Sequence, residues 1–134
     1  MKLKKSYKGF VLWIFIFFIV LIGVSCLPID DSRILVRIVD NACSLGITCL
    51  AFLIYKTEYV YWYSGTSYED AQKAGSERRN CFAWEHFKKF GLFSLAFLLF
   101  SVLAQILQFP IWIDIVVLAV GLVAVACRTI SISL

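Results

Sequence analysis

The sequence predicts an all-α integral membrane protein of four transmembrane helices, with cytoplasmic termini and a helical cytoplasmic extension between helices 2 and 3. Composition is the first reason: 61% of the 134 residues are hydrophobic and 16% are charged, which leaves too little polar surface to cover a soluble globule. The mean hydropathy of +0.85 agrees. The second reason is four apolar runs, and the third is a one-sided distribution of basic residues.

The apolar runs define the spans. A bilayer core about 30 Å thick needs roughly 20 helical residues, and residues 9–28, 34–55, 91–109 and 111–132 supply four such runs within a single domain, 1–134. Pro28 ends the first run, and Ser32 is the expected amino-terminal cap of the second helix. The Phe109-Pro110 pair predicts a tight hairpin between the third and fourth helices.

Basic residues near the span ends predict the orientation, because cytoplasmic loops carry an excess of Lys and Arg. Only Arg33 and Arg37 lie near the opposite side. We therefore expect a multi-pass protein of the cell membrane with both termini cytoplasmic, and we assign the net charge of +4 to orientation rather than to nucleic-acid binding. The residues on the cytoplasmic side are Lys2, Lys4, Lys5, Lys8, Lys56, Lys73, Arg78, Arg79, Lys88 and Lys89.

The first span has an alternative interpretation. A Lys-rich start, an apolar run and Ser25-Cys26 resemble a bacterial lipoprotein signal. Gly23 stands three residues before that cysteine, where such signals favour a large aliphatic residue, so we expect an uncleaved helix. Cleavage would leave three spans and a lipid on Cys26.

The segment 56–90 is predicted to be helical. Tyr55, Tyr59 and Trp62 recur at helical spacing, so we expect the second helix to continue about two turns beyond the membrane. Ser64-Gly65 would end it. A second helix should begin at a capping box, which either Thr66 with Glu69 or Ser67 with Asp70 would form, and should bend at Gly75-Ser76.

The last part of this segment is amphipathic, with aromatic residues on one side and charged residues on the other. It is our candidate surface for a partner or for the lipid interface. Three interpretations stay open: an aromatic interface belt, the docking of a soluble protein, or packing against another copy. The candidate residues are Arg78, Arg79, Trp84, Phe87, Lys88 and Lys89.

Polar residues also line one face of the second, third and fourth spans. Such groups are costly in lipid, so they usually face a bundle interior, a partner or water. Their outer ends share a depth, and we predict an intramembrane polar cluster there. It would serve as a packing network, a water-filled vestibule or a subunit contact. Its members are Arg37, Asp40, Asn41, Gln105, Gln108 and Asp114.

No pattern predicts catalysis, a cofactor or a metal site. Cys43 and Cys49 are separated by six positions, whereas a thiol-exchange pair needs three. His86 has no cysteine or second histidine at ligand spacing, and neighbouring Glu85 points away from it on a helix. A disulfide between Cys26 and Cys43 stays open.

The sequence therefore predicts a non-enzymatic membrane protein. We expect a homo-oligomerising sensor, anchor or accessory subunit that sits in the lipid bilayer and whose cytoplasmic helices engage a soluble partner. The alternative is a small ion or solute channel, a holin-like pore or a transporter, built as an oligomer with the polar faces of helices 2–4 inward. No cofactor and no nucleic acid are expected.

Overall fold

A computed structural model describes residues 4–63, 66–130 and 132, and over these residues the chain is all-α. Four helices in the described chain are long and apolar enough to cross a membrane, which confirms the predicted fold class at that level. The expected break at Ser64-Gly65 lies outside the described residues. The elements are α1 (Lys8–Ser25), α2 (Ser32–Thr57), a 3-10 turn (Val60–Trp62), α3 (Tyr68–Ile106) and α4 (Ile111–Ile130).

The bundle has two ends. The turn end carries the α1–α2 connection and the α3–α4 hairpin. The connector end carries residues 58–90, here called the connector, which lead from α2 into the first part of α3. α2 lies at the centre, because α1, α3 and α4 all pack against it.

α1 is an outer helix, and none of its described residues is buried. It packs against α2 at Gly46, where a Cβ atom would overlap the ring of Phe17. Large side chains on its other side, such as Phe15 and Phe18, are exposed.

α2 begins and ends differently from the prediction. Its amino-terminal cap is Asp31, whose carboxylate accepts the Arg33 N–H at 3.0 Å. Ser32 is instead the first helical residue. A carboxylate satisfies a free N–H and also interacts favourably with the helix dipole.

The helix stops at Thr57, so the predicted continuation for two turns is wrong. Glu58 adopts a left-handed backbone, with φ 62°, and the chain turns into Val60–Trp62. This conformation is unfavourable for a residue with a Cβ atom. The hydrogen bonds of the Glu58 carboxylate, described below, offset that cost.

α3 begins at a capping box formed by Ser67 and Asp70, which is one of the two predicted pairs. The Ser67 hydroxyl accepts the Asp70 N–H at 3.1 Å and donates to the Asp70 carboxylate at 2.8 Å. Gly75 interrupts the helix with φ 82° and ψ 164°, a conformation that glycine adopts readily. The bend therefore lies where the sequence placed it.

The hairpin between α3 and α4 is a Schellman motif. The Phe109 N–H donates to the Ala104 carbonyl at 2.9 Å, and the Gln108 N–H to the Gln105 carbonyl at 3.4 Å. Gln108 has φ 56° at the position where most helices use glycine. Pro110 follows directly and prevents α3 from continuing.

The main apolar core lies at the connector end. Ile54 at the end of α2, Val60 and Tyr61 in the 3-10 turn, and Ala71 and Phe82 in α3 pack together there. The chain before α1 also binds this core.

The attachment of this amino-terminal segment is specific. The Tyr61 hydroxyl accepts the Ser6 N–H at 2.8 Å, and Trp62 donates its indole N–H to the Ser6 carbonyl at 2.9 Å. The ring of Tyr7 packs edge-on against Tyr61 at 5.4 Å between centroids. The start of α1 is therefore held against the 3-10 turn.

Candidate functional site

The polar faces of α2, α3 and α4 meet at the turn end, around Arg37. This side chain is 4% exposed, and its Nε lies 2.9 Å from the carboxylate of the fully buried Asp114. It also donates to the side chain of Gln105 and, at 2.7 Å, to the Phe109 carbonyl. One guanidinium group thus ties α2 to both helices of the hairpin.

Neutral polar residues extend this contact along α2 and α3. Asn41 donates its amide to the Arg37 carbonyl at 2.8 Å and to the Ser101 hydroxyl at 3.0 Å. Deeper in the bundle, the Ser94 hydroxyl lies 2.7 Å from that of Ser44 and 2.6 Å from that of Thr48. The polar side chains named here therefore form hydrogen bonds between α2 and α3.

The structure brings together four of the six residues of the predicted polar cluster. Arg37, Asn41, Gln105 and Asp114 are joined through the hydrogen bonds just given. Asp40 is 9% exposed, but its Oδ2 atom has no hydrogen-bond partner in the described part of the chain. Gln108 is exposed, because its backbone forms the hairpin turn.

A groove of about 500 Å³ runs between α2 and α3 beside this network. Aliphatic side chains form nearly all of its wall, while Arg37, Asn41, Ser101 and Gln105 contribute its few polar atoms. It is an apolar surface groove with a polar base.

Sequence reasoning missed a second buried ion pair, in the connector. Arg79 is 3% exposed and its Nη2 lies 3.0 Å from the Glu58 carboxylate. Ser76 and Asn80 also donate to Glu58, and Arg79 donates to the Ala71 carbonyl at 2.9 Å. The pairing joins residues 21 positions apart, so no helical spacing reveals it.

The environment of Glu58 favours its charged form. Burial by itself raises the pKa of a carboxyl group, but the hydrogen bonds from Ser76 and Arg79 and the charge of Arg79 outweigh it. The net result is a pKa of Glu58 below its ordinary value. This carboxylate fixes the direction in which the chain leaves α2.

The predicted partner or lipid-interface surface is only partly exposed. Arg78, Trp84 and Lys88 are exposed, whereas Phe87 and Lys89 are half-buried. Arg79 does not belong to this surface, because it lies inside the connector on Glu58.

Aromatic rings from α2 extend the same surface. Trp84 lies 5.4 Å from Tyr55 and Phe87 lies 5.5 Å from Phe52, between ring centroids. The ammonium group of Lys56 lies 5.5 Å from the centroid of Phe52. Aromatic rings with adjacent cations are typical of a membrane-water interface.

A second cavity, of about 610 Å³, lies between α3 and the end of α4. His86 lines it, stacked on Tyr63 at 4.3 Å between ring centroids. The Nδ1 atom of His86 lies 2.9 Å from the Phe82 carbonyl, so that nitrogen carries the hydrogen. Burial lowers the pKa of His86, which favours the neutral form of the ring.

Other reactive groups are dispersed. The five cysteines, all within the described residues, are free thiols. Over the same residues, no group of three or more His, Cys, Asp or Glu side chains is placed to hold a metal ion.

The fold and the polar network together define the class: an all-α protein with four candidate transmembrane helices, which suggests a multi-pass membrane protein. Comparison with protein-family models, with curated proteins and with solved structures finds no match to this chain. Functional conclusions therefore come from its own residues.

Proposed function

We propose that this chain is a non-enzymatic membrane anchor or accessory subunit with its termini and connector in the cytoplasm. In this proposal the connector engages a soluble partner, and the chain associates with further copies in the cell membrane. The observation that carries the proposal is the pairing of the polar stripes with one another inside a single chain.

That pairing argues against a conduit through one chain. A path for ions or solutes needs polar groups that face water, but Arg37 and Asp114 are bonded to each other and buried. The hydroxyl groups of Ser44, Thr48 and Ser94 are likewise used between α2 and α3. Such bonds between membrane helices contribute about 0.6 kcal/mol each, which is the scale of a packing network.

The connector supplies the surface that such an anchor would use. Its exposed residues include charges of both signs along the first part of α3, whereas its aromatic residues gather beside α2. A charged exposed face is suited to a soluble protein, and the aromatic cluster to the lipid interface. The exposed charged residues are Glu69, Asp70, Lys73, Glu77, Arg78 and Lys88.

Affinity purification in a mild detergent tests the anchor proposal. The tagged chain should retain a soluble protein in fixed proportion, and Arg78→Glu with Lys88→Glu should release it. Arg33→Glu, an exposed change at the turn end, is the matched control and should retain the partner. A chain that purifies alone from its native cells would contradict the proposal.

A small channel or transporter is the second candidate, because the groove between α2 and α3 has a polar base at Arg37, Asn41 and Gln105. Copies packed through this groove would place those residues along their contact. Reconstituted vesicles test this directly. An ion or solute flux that Gln105→Leu abolishes would favour the conduit, whereas the anchor proposal expects no flux.

A further inference from the structure

Asp40 is one of two described residues that carry a buried side-chain oxygen without a hydrogen-bond partner; the other is Tyr63, through its hydroxyl. Asp40 is 9% exposed, it is the ninth of the 26 residues of α2, and the buried atom without a partner among the described residues is Oδ2. A buried polar atom of this kind costs about 1–3 kcal/mol, and more when it is charged. The state of this carboxyl group therefore needs an explanation.

Counting charges sharpens the problem. Arg37 is the cation of the cluster, and it is committed to Asp114 through Nε at 2.9 Å. Asp114 belongs to the same cluster through this bond. With both carboxyl groups ionised, the cluster would carry one uncompensated negative charge inside a candidate membrane span.

The other groups around Asp40 do not supply that missing charge. On α2 the nearest ionisable neighbour besides Arg37 is Cys43, which is neutral as a thiol. The α3 residues of the cluster are neutral, since Gln105 accepts from Arg37 and Ser101 accepts from Asn41, and α4 contributes Asp114 on Arg37. In α1 the ionisable residue is Lys8, which lies at the connector end.

We propose that Asp40 is an intramembrane proton-binding site, occupied by one proton whenever Arg37 is paired with Asp114. Protonation removes the uncompensated charge without moving a side chain. It also converts Oδ2 into a hydroxyl, which can donate a hydrogen bond. The ligand of this site is the proton.

The proposal makes a specific statement about charge balance. The number of protonated carboxyl groups in the cluster equals its number of carboxyl groups minus one, because Arg37 compensates the charge of one carboxylate. Removing Asp114 should therefore free Arg37 to pair with Asp40, three residues away on the same helix, and Asp40 should then lose its proton. This inference does not depend on the proposed anchor function.

Infrared spectroscopy of the purified full-length protein at pH 7 tests it. A protonated aspartic acid has a carbonyl stretching band separate from that of a carboxylate, and ¹³C-labelled aspartate distinguishes the band from glutamate and detergent. The wild-type chain should show the band of one such group. Asp40→Asn and Asp114→Asn should each abolish it, and Asp30→Asn, at an exposed carboxylate, should leave it unchanged.

Three results would overturn the proposal. The first is a wild-type protein with no such band. The second is a band that persists in Asp40→Asn or in Asp114→Asn. The third is a band that appears only when sodium and potassium are replaced by choline, because the site would then hold a metal cation instead of a proton. The first of these results overturns the proposal even if a variant fails to fold.

Discussion

At the scale of single residues, Arg37 does the most to connect the helices. Its guanidinium group contacts α3 through Gln105, the hairpin through the Phe109 carbonyl, and α4 through Asp114. An arginine can do this because its planar group presents five donors in fixed directions. A lysine would satisfy one of these acceptors well and leave others unpaired.

Breaking this ion pair from one side should destabilise the protein strongly. We expect Arg37→Met to lower the free energy of unfolding by about 3–5 kcal/mol, because it leaves a buried carboxylate without a partner. The double variant Arg37→Met with Asp114→Leu should recover most of that loss. Thermal unfolding in detergent measures both. Arg33→Met, which is exposed, is the control and should change stability by less than about 0.5 kcal/mol.

Glu58 should make stability fall in acid. Its pKa is lower in the folded protein than its ordinary value of 4.5, so the stabilisation is complete above that value and is lost as the pH falls through the folded pKa. Thermal midpoints measured from neutral to acidic pH should therefore decrease. The decrease should be smaller in Glu58→Gln, and an equal decrease in that variant would contradict this role.

At the scale of elements, small residues set how closely the helices approach. A Cβ atom on Gly46 would overlap Phe17 of α1, and one on Gly121 would overlap Phe93 of α3. In lipid there is little hydrophobic driving force between helices, so close packing at small residues contributes much of their association. Both glycines lie at contacts between helices of the same chain.

Enlarging these positions should weaken the bundle. We expect Gly46→Leu and Gly121→Leu each to cost about 1–3 kcal/mol, since the added side chain must displace an aromatic ring. Gly23→Leu is the matched control, because a Cβ atom there meets nothing within 4 Å. Unfolding midpoints of the three variants provide the measurement. Equal midpoints for Gly46→Leu and Gly23→Leu would show that α1 does not pack against α2 as described.

The sequence predicted elements better than it predicted their connections. Hydropathy located all four helices, and the residue types of Ser67 and Gly75 located a cap and a bend, because these signals are local. It failed at Glu58, where aromatic spacing suggested a continuing helix. The turn there depends on Arg79, which is distant in sequence, and local propensity yields to such tertiary contacts.

The polar cluster shows the same limit. Helical spacing grouped Arg37, Asn41, Gln105 and Asp114, and hydrogen bonds connect these four in the structure. It could not distinguish Gln108, whose backbone is required in the hairpin, from Gln105, one turn earlier on the inner face. That distinction depends on where α3 ends, and the ends are the least certain feature of a helix predicted from sequence.

At the scale of the whole molecule, the kind of packing changes along the bundle. The apolar core of Ile54, Tyr61 and Phe82 lies at the connector end, whereas the helices meet at the turn end through polar groups around Arg37. In water, burial of an apolar core stabilises a fold. Between helices in lipid, close packing at small residues and hydrogen bonds stabilise the association instead. The division agrees with spans in the bilayer and a connector outside it.

The central proposal is that the chain crosses the membrane four times with its termini and connector in the cytoplasm. Labelling of single-cysteine variants with a membrane-impermeant maleimide tests it most directly, because Cys26 at the turn end and Cys81 in the connector are both exposed. In intact cells Cys26 should react, and Cys81 should react only after the membrane is permeabilised. Labelling of Cys81 in intact cells, with Cys26 protected until permeabilisation, would contradict this topology.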